Sequence, residues 1–173
     1  MRTTPALAAV LVVGATASAR ASYDKTEWGM TVPQVQALYP GGVAIRQPDG
    51  RAEYRVVRAV AGFSTALVSF DFGVPPEGLK RVSIVFPEQG TDVDLRQALF
   101  EPPSPSQAET IRQTLRAALT SKYGKPAVTH EKDDTWVTSA GETIYLGLAS
   151  IGAGLSPAVV YSPKERAKDT SGL

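Results

Sequence analysis

An α+β fold, two helices packed on an antiparallel sheet, is what this 173-residue sequence predicts, and three observations predict it. Two segments with helical periodicity each begin at a Ser or Thr cap and stop at glycine. Around them the period falls to two, with β-branched and aromatic residues alternating against polar ones. Short Gly, Pro and Asp turn signals, not helices, separate most of the strand runs, which argues against a doubly wound parallel sheet.

The N-terminal residues come before the fold. Arg2 supplies one positive charge, Ala6 to Thr16 is apolar and uncharged, and small residues follow, the order of a secretory signal peptide. The apolar run is too short to cross a bilayer, which takes about 20 residues. Ala17-Ser18-Ala19 and Ala19-Arg20-Ala21 are the two cleavage signals. Cleavage is expected after Ala21, with Ala19 as the alternative. The expected organisation is therefore a signal peptide over 1–21, one α+β domain over 22–163 and a flexible tail over 164–173.

The first helix is written into Gly29 to Tyr39. Thr31 caps, Gln34 completes a capping box, Pro33 is tolerated in the first turn, and Pro40-Gly41-Gly42 stops it. Val35, Leu38 and Tyr39 share a face that should meet a sheet. Strands are expected at Val43–Arg46, Ala52–Val60, Thr65–Phe72 and Leu79–Phe86, with turns at Pro48-Asp49-Gly50, Ala61-Gly62 and Gly73 to Gly78. Pro87 to Pro105 reads as a long irregular connection crossed by a helical turn at Val93–Phe100. A connection of that length is a place where function sits or a surface segment.

Ser106-x-x-Glu109 is a capping box that opens a helix over Gln107–Tyr123, with Ala108, Ile111, Leu115, Ala118, Leu119 and Tyr123 on its apolar face. Gly124 ends it and Pro126 prevents its resumption. Strands are expected at Asp134–Ser139, Thr143–Ala149 and Pro157–Ser162, the last after the glycine-rich run Ile151 to Gly154. Each half thus opens with a capped helix ending in Tyr-x-Gly or Tyr-Gly and continues into a three-strand meander. Two copies of one αβββ unit would give this echo.

The chain has no cysteine, so a lipid-acceptor thiol and a disulfide framework are both excluded. Without Arg2 and Arg20 it carries 16 basic against 17 acidic residues, a net charge of −1. That balance, with no basic stripe, argues against nucleic acid as a partner. His130 is the only histidine, so a Ser/His/Asp hydrolase would have to use it beside Glu131, Asp133 and Asp134, yet no G-x-S-x-G elbow presents a serine. With one His and no Cys, a zinc site would need carboxylates for most of its ligands, and nothing resembles H-E-x-x-H. Asp92-Val93-Asp94 lacks the further acids and the glycine of a calcium loop and reads as a polar loop or helix cap. Gly152-x-Gly154 lacks the third glycine and following helix of a dinucleotide site. No catalytic, cofactor-binding or metal-binding residue is therefore assigned. Trp28 is expected to staple the first helix to the sheet rather than to lie exposed.

The segment Trp28-Gly29-Met30-Thr31-x-x-Gln34-Val35-x-x-Leu38 resembles the helix opening of small bacterial envelope domains, the SmpA/OmlA-type component of the outer-membrane assembly machine and the β-lactamase-inhibitor-protein fold. Lys122-Tyr123-Gly124-Lys125-Pro126, with a later Trp136 strand, is similar to a pattern in exported bacterial proteins. The resemblance implies helices on an antiparallel sheet and protein binding without catalysis. This chain departs from the assembly-factor family in lacking its lipidated cysteine and in being about twice as long as its domain. The expectation is a periplasmic or secreted, non-catalytic module that binds a protein or other envelope component, with no membrane span after signal cleavage. A hydrolase using carboxylates or His130, and a carrier of a small apolar ligand, are the alternatives. Nothing in the sequence fixes an oligomeric state.

Overall fold

The computed structural model describes residues 23–151 and 154–164; the signal cleavage positions Ala19 and Ala21, and the tail beyond Lys164, lie outside the described residues. The elements are α1 (Val32–Leu38), β1 (Val43–Arg46), β2 (Ala52–Val60), β3 (Phe63–Phe72), β4 (Leu79–Val85), α2 (Pro105–Tyr123), β5 (Val128–Thr129), β6 (Asp134–Val137), β7 (Thr143–Ile151) and β8 (Gly154–Ser162). The fold is mixed α+β and mostly sheet. All eight strands form one antiparallel sheet in the order β1-β2-β3-β4-β8-β7-β6-β5.

α1 begins where its capping residues place it. The Gln34 side-chain oxygen accepts from the backbone N–H of Thr31 at 2.8 Å and from its hydroxyl at 3.0 Å. Gly41 at φ +88° then turns the chain back toward β1. The β2–β3 hairpin closes through Ala61 and Gly62, both at positive φ, between the paired Val60 and Phe63. Two central residues at positive φ match the right-handed twist of the strands they join.

Four sequence expectations need correction. α2 starts at Pro105, two residues early, because the box that forms is Ser104/Gln107 and not Ser106/Glu109. Ser104 N–H donates to Gln107 Oε1 at 2.8 Å and Gln107 N–H to Ser104 Oγ at 3.4 Å. Pro105 at the first helical position loses nothing, since its missing N–H would have had no helical partner. Residues 93–100 form no helical turn; they make a turn closed by a bridge between Asp94 and Leu99. Four strands follow each helix rather than three, the extra one in the second half being the two-residue β5. Ala118, assigned to the apolar face of α2, is exposed.

The core occupies one face of the sheet. Tyr54, Val56, Val68, Phe70, Phe72, Val82, Ile84, Trp136, Ile144, Leu146 and Val159 belong to one buried cluster that also contains Val35 and Tyr39 of α1 and Ile111, Leu115 and Leu119 of α2. Aromatic rings knit it together, Tyr39 stacking on Phe70 at 5.0 Å and Tyr23 tilting against Tyr161 at 5.6 Å. Burial pushes the Tyr23 hydroxyl up to about 12, only partly offset by Arg58 nearby, and pushes that of Tyr161 higher still. Buried polar tips find partners: Tyr54 donates to the Tyr39 carbonyl at 2.5 Å and accepts from Gly42 N–H at 2.8 Å, and Trp136 donates to the Gly124 carbonyl at 2.9 Å. All three bonds tie the exit of a helix to a strand.

Candidate functional site

Period-two alternation sends every second strand residue to the face opposite this cluster. The strand pairings place these residues in rows across the sheet. One row runs Val43, Arg55, Ser69, Ser83, Val160, Tyr145, Thr135, Val128 from edge to edge. Below it lie Ile45, Glu53, Asp71 and Arg81, and in the second half Val137, Thr143 and Ser162. Above it lie Val57, Leu67, Val85, Ala158 and Gly147.

The face divides electrostatically. In the first half Glu53 and Asp71 stand directly opposite one another, a like-charge pair that would repel. Each carboxylate is answered by a guanidinium, Arg55 on Glu53 at 2.6 Å and Arg81 on Asp71 at 2.7 Å. The Arg81–Asp71 pair is solvated and contributes little to stability, the Arg55–Glu53 pair is largely buried, and together they leave the region locally neutral. In the second half the outward residues Thr135, Val137, Thr143, Tyr145, Gly147, Ala158, Val160 and Ser162 include no charge. Val128 at 47 %, Val137 at 55 % and Tyr145 at 36 % exposure are large apolar side chains in this zone. The Tyr145 ring lies over Gly147, where any Cβ would collide with it, so the glycine is what lets the ring rest along the strand.

The upper row is buried at Leu67 and Ala158 and open at Val57, which is 37 % exposed. Arg55 Nη1 donates to the carbonyls of Leu95 at 3.2 Å and Arg96 at 2.9 Å, fastening the 88–101 connection to this face. Leu67 is only 2 % exposed despite pointing away from the core cluster. Pro102 sits where a Cβ on Gly154 would be.

The other residues singled out by sequence do not assemble. His130 is exposed in the turn between β5 and β6, its N–H donating to the Asp133 carbonyl at 2.8 Å. Asp134, two strand positions from Trp136, is turned inward: its Oδ1 accepts from Thr129 Oγ1 at 2.8 Å and Arg116 at 3.2 Å. Its Oδ2 lies 3.0 Å from Arg116 Nε as an ion pair without hydrogen-bond alignment. Asp94 Oδ1 accepts the N–H groups of Arg96 and Gln97 and so builds a turn. Gly154 opens β8, and Gly152 lies outside the described residues. Among the described residues no group of three or more His, Asp or Glu is placed to hold a metal ion, and no helix is long and apolar enough to cross a membrane. Trp28 is half-buried against the core cluster and donates Nε1–H to Glu142 Oε1 at 2.5 Å. An apolar depression of about 290 Å³ opens at the surface between Phe63, Pro103 and Ile111.

The open face escaped residue-by-residue reading of the sequence. The signal for it was the run of outward positions in β6 to β8 without Lys, Arg, Asp or Glu. No protein-family model, curated protein or solved structure matches the chain.

Proposed function

We propose that this chain is an exported, non-catalytic module of the bacterial envelope that binds a protein or another envelope component through the open face of its sheet. The observation that carries the reading is the uncharged second half of that face, where Val128, Val137 and Tyr145 stand exposed among Ser, Thr, Ala and Gly. Contiguous apolar side chains left in water on a small domain mark contact surfaces more often than chance placement. The strand positions of the patch carry no charge, and it lies between Asp133, whose charge acts on the Tyr145 hydroxyl, and the ion-paired margin of the first half, the order of an apolar centre and a polar rim. The resemblance of the Trp28 to Leu38 segment to envelope domains that bind proteins supports the same reading, as does the secretory order of residues 1–21. The two halves are read as copies of one helix-plus-four-strand unit with each helix packed on its own strands. The strand order supports this, since exchanging each strand for the one four places later reverses the sheet onto itself.

Site-specific photo-crosslinking in intact cells tests the proposal. A benzophenone side chain at position 137 or 145 should give a discrete adduct, and the same group at exposed Ser121 on α2 should not. Equal labelling from both sides, or none from the face, would sink it.

A further inference from the structure

On the other side of the sheet, the outer flank of α2 faces the segment that leads into β5. Between them lies a cleft of about 680 Å³, walled by Gln113, Arg116 and Thr120 of the helix and by Lys125, Pro126 and Thr129 opposite. Thr129 pairs with the inward-turned Asp134, so it stands on the helix side, whereas Val128 and Tyr145 belong to the row on the open face.

Both walls are fixed from behind. Asp134, 1 % exposed, accepts from Thr129 Oγ1 at 2.8 Å and from Arg116 Nη2 at 3.2 Å, and its Oδ2 lies 3.0 Å from Arg116 Nε. One buried carboxylate thus positions a residue on each wall. The backbone on either side of Lys125 is pinned as well. Trp136 Nε1 donates to the Gly124 carbonyl at 2.9 Å, and Ala127 N–H donates to the Thr135 carbonyl at 2.8 Å. Walls held in this way lose little freedom when a ligand arrives.

The charge in this cleft differs from that of the other charged depressions. Those beside Arg58, Lys80 and Arg51 each carry a carboxylate on their own wall, that of Asp24, Glu77 and Glu53 respectively. Here two cations line the space and no Asp or Glu does. Glu109, one turn before Gln113, is taken up by Arg112 at 2.9 Å and by the Gln113 amide at 2.8 Å. Asp134 offsets Arg116, and Lys125 has no ion-pair partner among the described residues, so the cleft keeps one net positive charge. Arg116 shows Asp134 its Nε/Nη2 edge and retains the Nη1/Nη2 edge, with two parallel N–H groups, on a side chain that is 45 % exposed. That edge matches the two oxygens of a carboxylate. The last turn of α2 opposes any anion with about half an elementary negative charge, which a whole cation outweighs for a monoanion. A dianion would leave a charge unanswered.

We propose that this cleft is a binding site for a small organic carboxylate. Arg116 supplies the fork, Lys125 supplies the charge, and Ala117 and Pro126 receive the apolar body of the ligand. The volume falls within the range of about 300–1,000 Å³ usual for small-molecule sites. The inference does not depend on the binding reading of the open face, since the two sites lie on opposite sides of the sheet.

Sodium benzoate is the probe, titrated into the isotope-labelled mature chain and followed by NMR. The amides of Arg116, Thr120, Lys125 and Thr129 should shift saturably, with half-saturation at about 1 mM or below. Benzamide, which keeps the ring and lacks the charge, should bind at least about tenfold more weakly, and phenyl phosphate no more tightly than benzoate. Lys125→Ala should weaken benzoate by about tenfold. Arg116→Ala would strand Asp134, so the second variant is Arg116→Lys. Its ammonium keeps the ion pair but has no second edge to offer, and it should weaken benzoate by about tenfold in a folded chain. Any of four results overturns the inference: no saturable shift by about 10 mM benzoate, benzamide binding equally well, phenyl phosphate binding more tightly, or full affinity in Lys125→Ala. Shifts confined to Val137 and Tyr145 would overturn it too, because they would place the benzoate on the open face.

Discussion

Trp28 and Glu142 are 114 residues apart in sequence and joined by one 2.5 Å hydrogen bond. Glu142 is almost fully buried, and among the described residues its other side-chain partner is the Thr138 hydroxyl at 3.2 Å. Trp28→Phe keeps an aromatic ring on the core and deletes the donor. A hydrogen bond to a charged group contributes about 1.5–3 kcal/mol, and its loss leaves the carboxylate under-solvated. The smaller ring of Phe at a half-buried site adds about 1 kcal/mol. The expected destabilisation is about 2–4 kcal/mol, a large share of the 5–15 kcal/mol typical of a domain. Urea unfolding measures it directly, because the sequence has two tryptophans and the substitution leaves buried Trp136 as sole reporter. Glu142→Gln keeps an acceptor oxygen without the charge, so a double-mutant cycle with Trp28→Phe isolates the charged bond, with a coupling of about 1 kcal/mol or more. A coupling under about 0.5 kcal/mol would refute the reasoning. It would mean that the carboxylate is solvated or satisfied elsewhere and that Trp28 acts through packing alone.

Arg116→Ala should cost about 3 kcal/mol or more in the same assay, because it strands the Asp134 carboxylate, 1 % exposed, with Thr129 as its remaining donor. Asp134→Ala should cost less, since the side chain of Arg116 is 45 % exposed and can rehydrate; the reverse order would contradict the ion-pair geometry. Glu109 is held down to about 2 by its hydrogen bonds to Arg112 and then Gln113. A folded value below the unfolded one gives a contribution present above pH 4.5 and lost as pH falls toward 2. NMR titration should find this carboxyl ionised at pH 3, and Arg112→Ala should return it to the ordinary range. For Tyr23 the sign is opposite: its value, raised from 10.0 to about 12, makes stability complete below pH 10 and eroding between pH 10 and 12. Phenolate absorbance that rises without any loss of stability across that interval would count against burial as the cause.

Much of this architecture could be read from sequence because local chemistry specifies it. The bounds of β1 and β2, the capped start of α1 and the glycine stop after α2 all follow from turn residues and periodicity acting within a few positions. The start of α2 was misplaced at Ser106, since Ser104 and Ser106 each stand three residues before a side chain able to complete a box. Pro105 resolves it once seated in the first turn, where it is tolerated. β5 is too short to show a period, and it exists because β6 offers an edge. The 88–101 segment was legible only as a proline-rich connection. Its anchor is a guanidinium 40 and 41 positions away binding backbone carbonyls, which every residue possesses and no motif encodes.

The same distinction explains why the candidate site lies where it does. Alternation gives each strand two faces, but which face the chain covers depends on where its helices arrive. Antiparallel pairing of β4 with β8 joins the two halves edge to edge, and the buried residues of both helices belong to the same cluster as the core strand residues. The opposite side must then be made tolerable in water by other means, and three are visible. Over Leu67 a loop is fastened down by Arg55. Along Glu53, Asp71 and Arg81 the surface is charged and internally neutralised. From Val128 to Val160 it is neither covered nor charged, although Lys, Glu or Arg at Thr135, Val137 or Thr143 would solvate it without cost to the core. On the binding reading proposed above, a region that keeps apolar side chains where polar ones would fit equally well is one a partner covers.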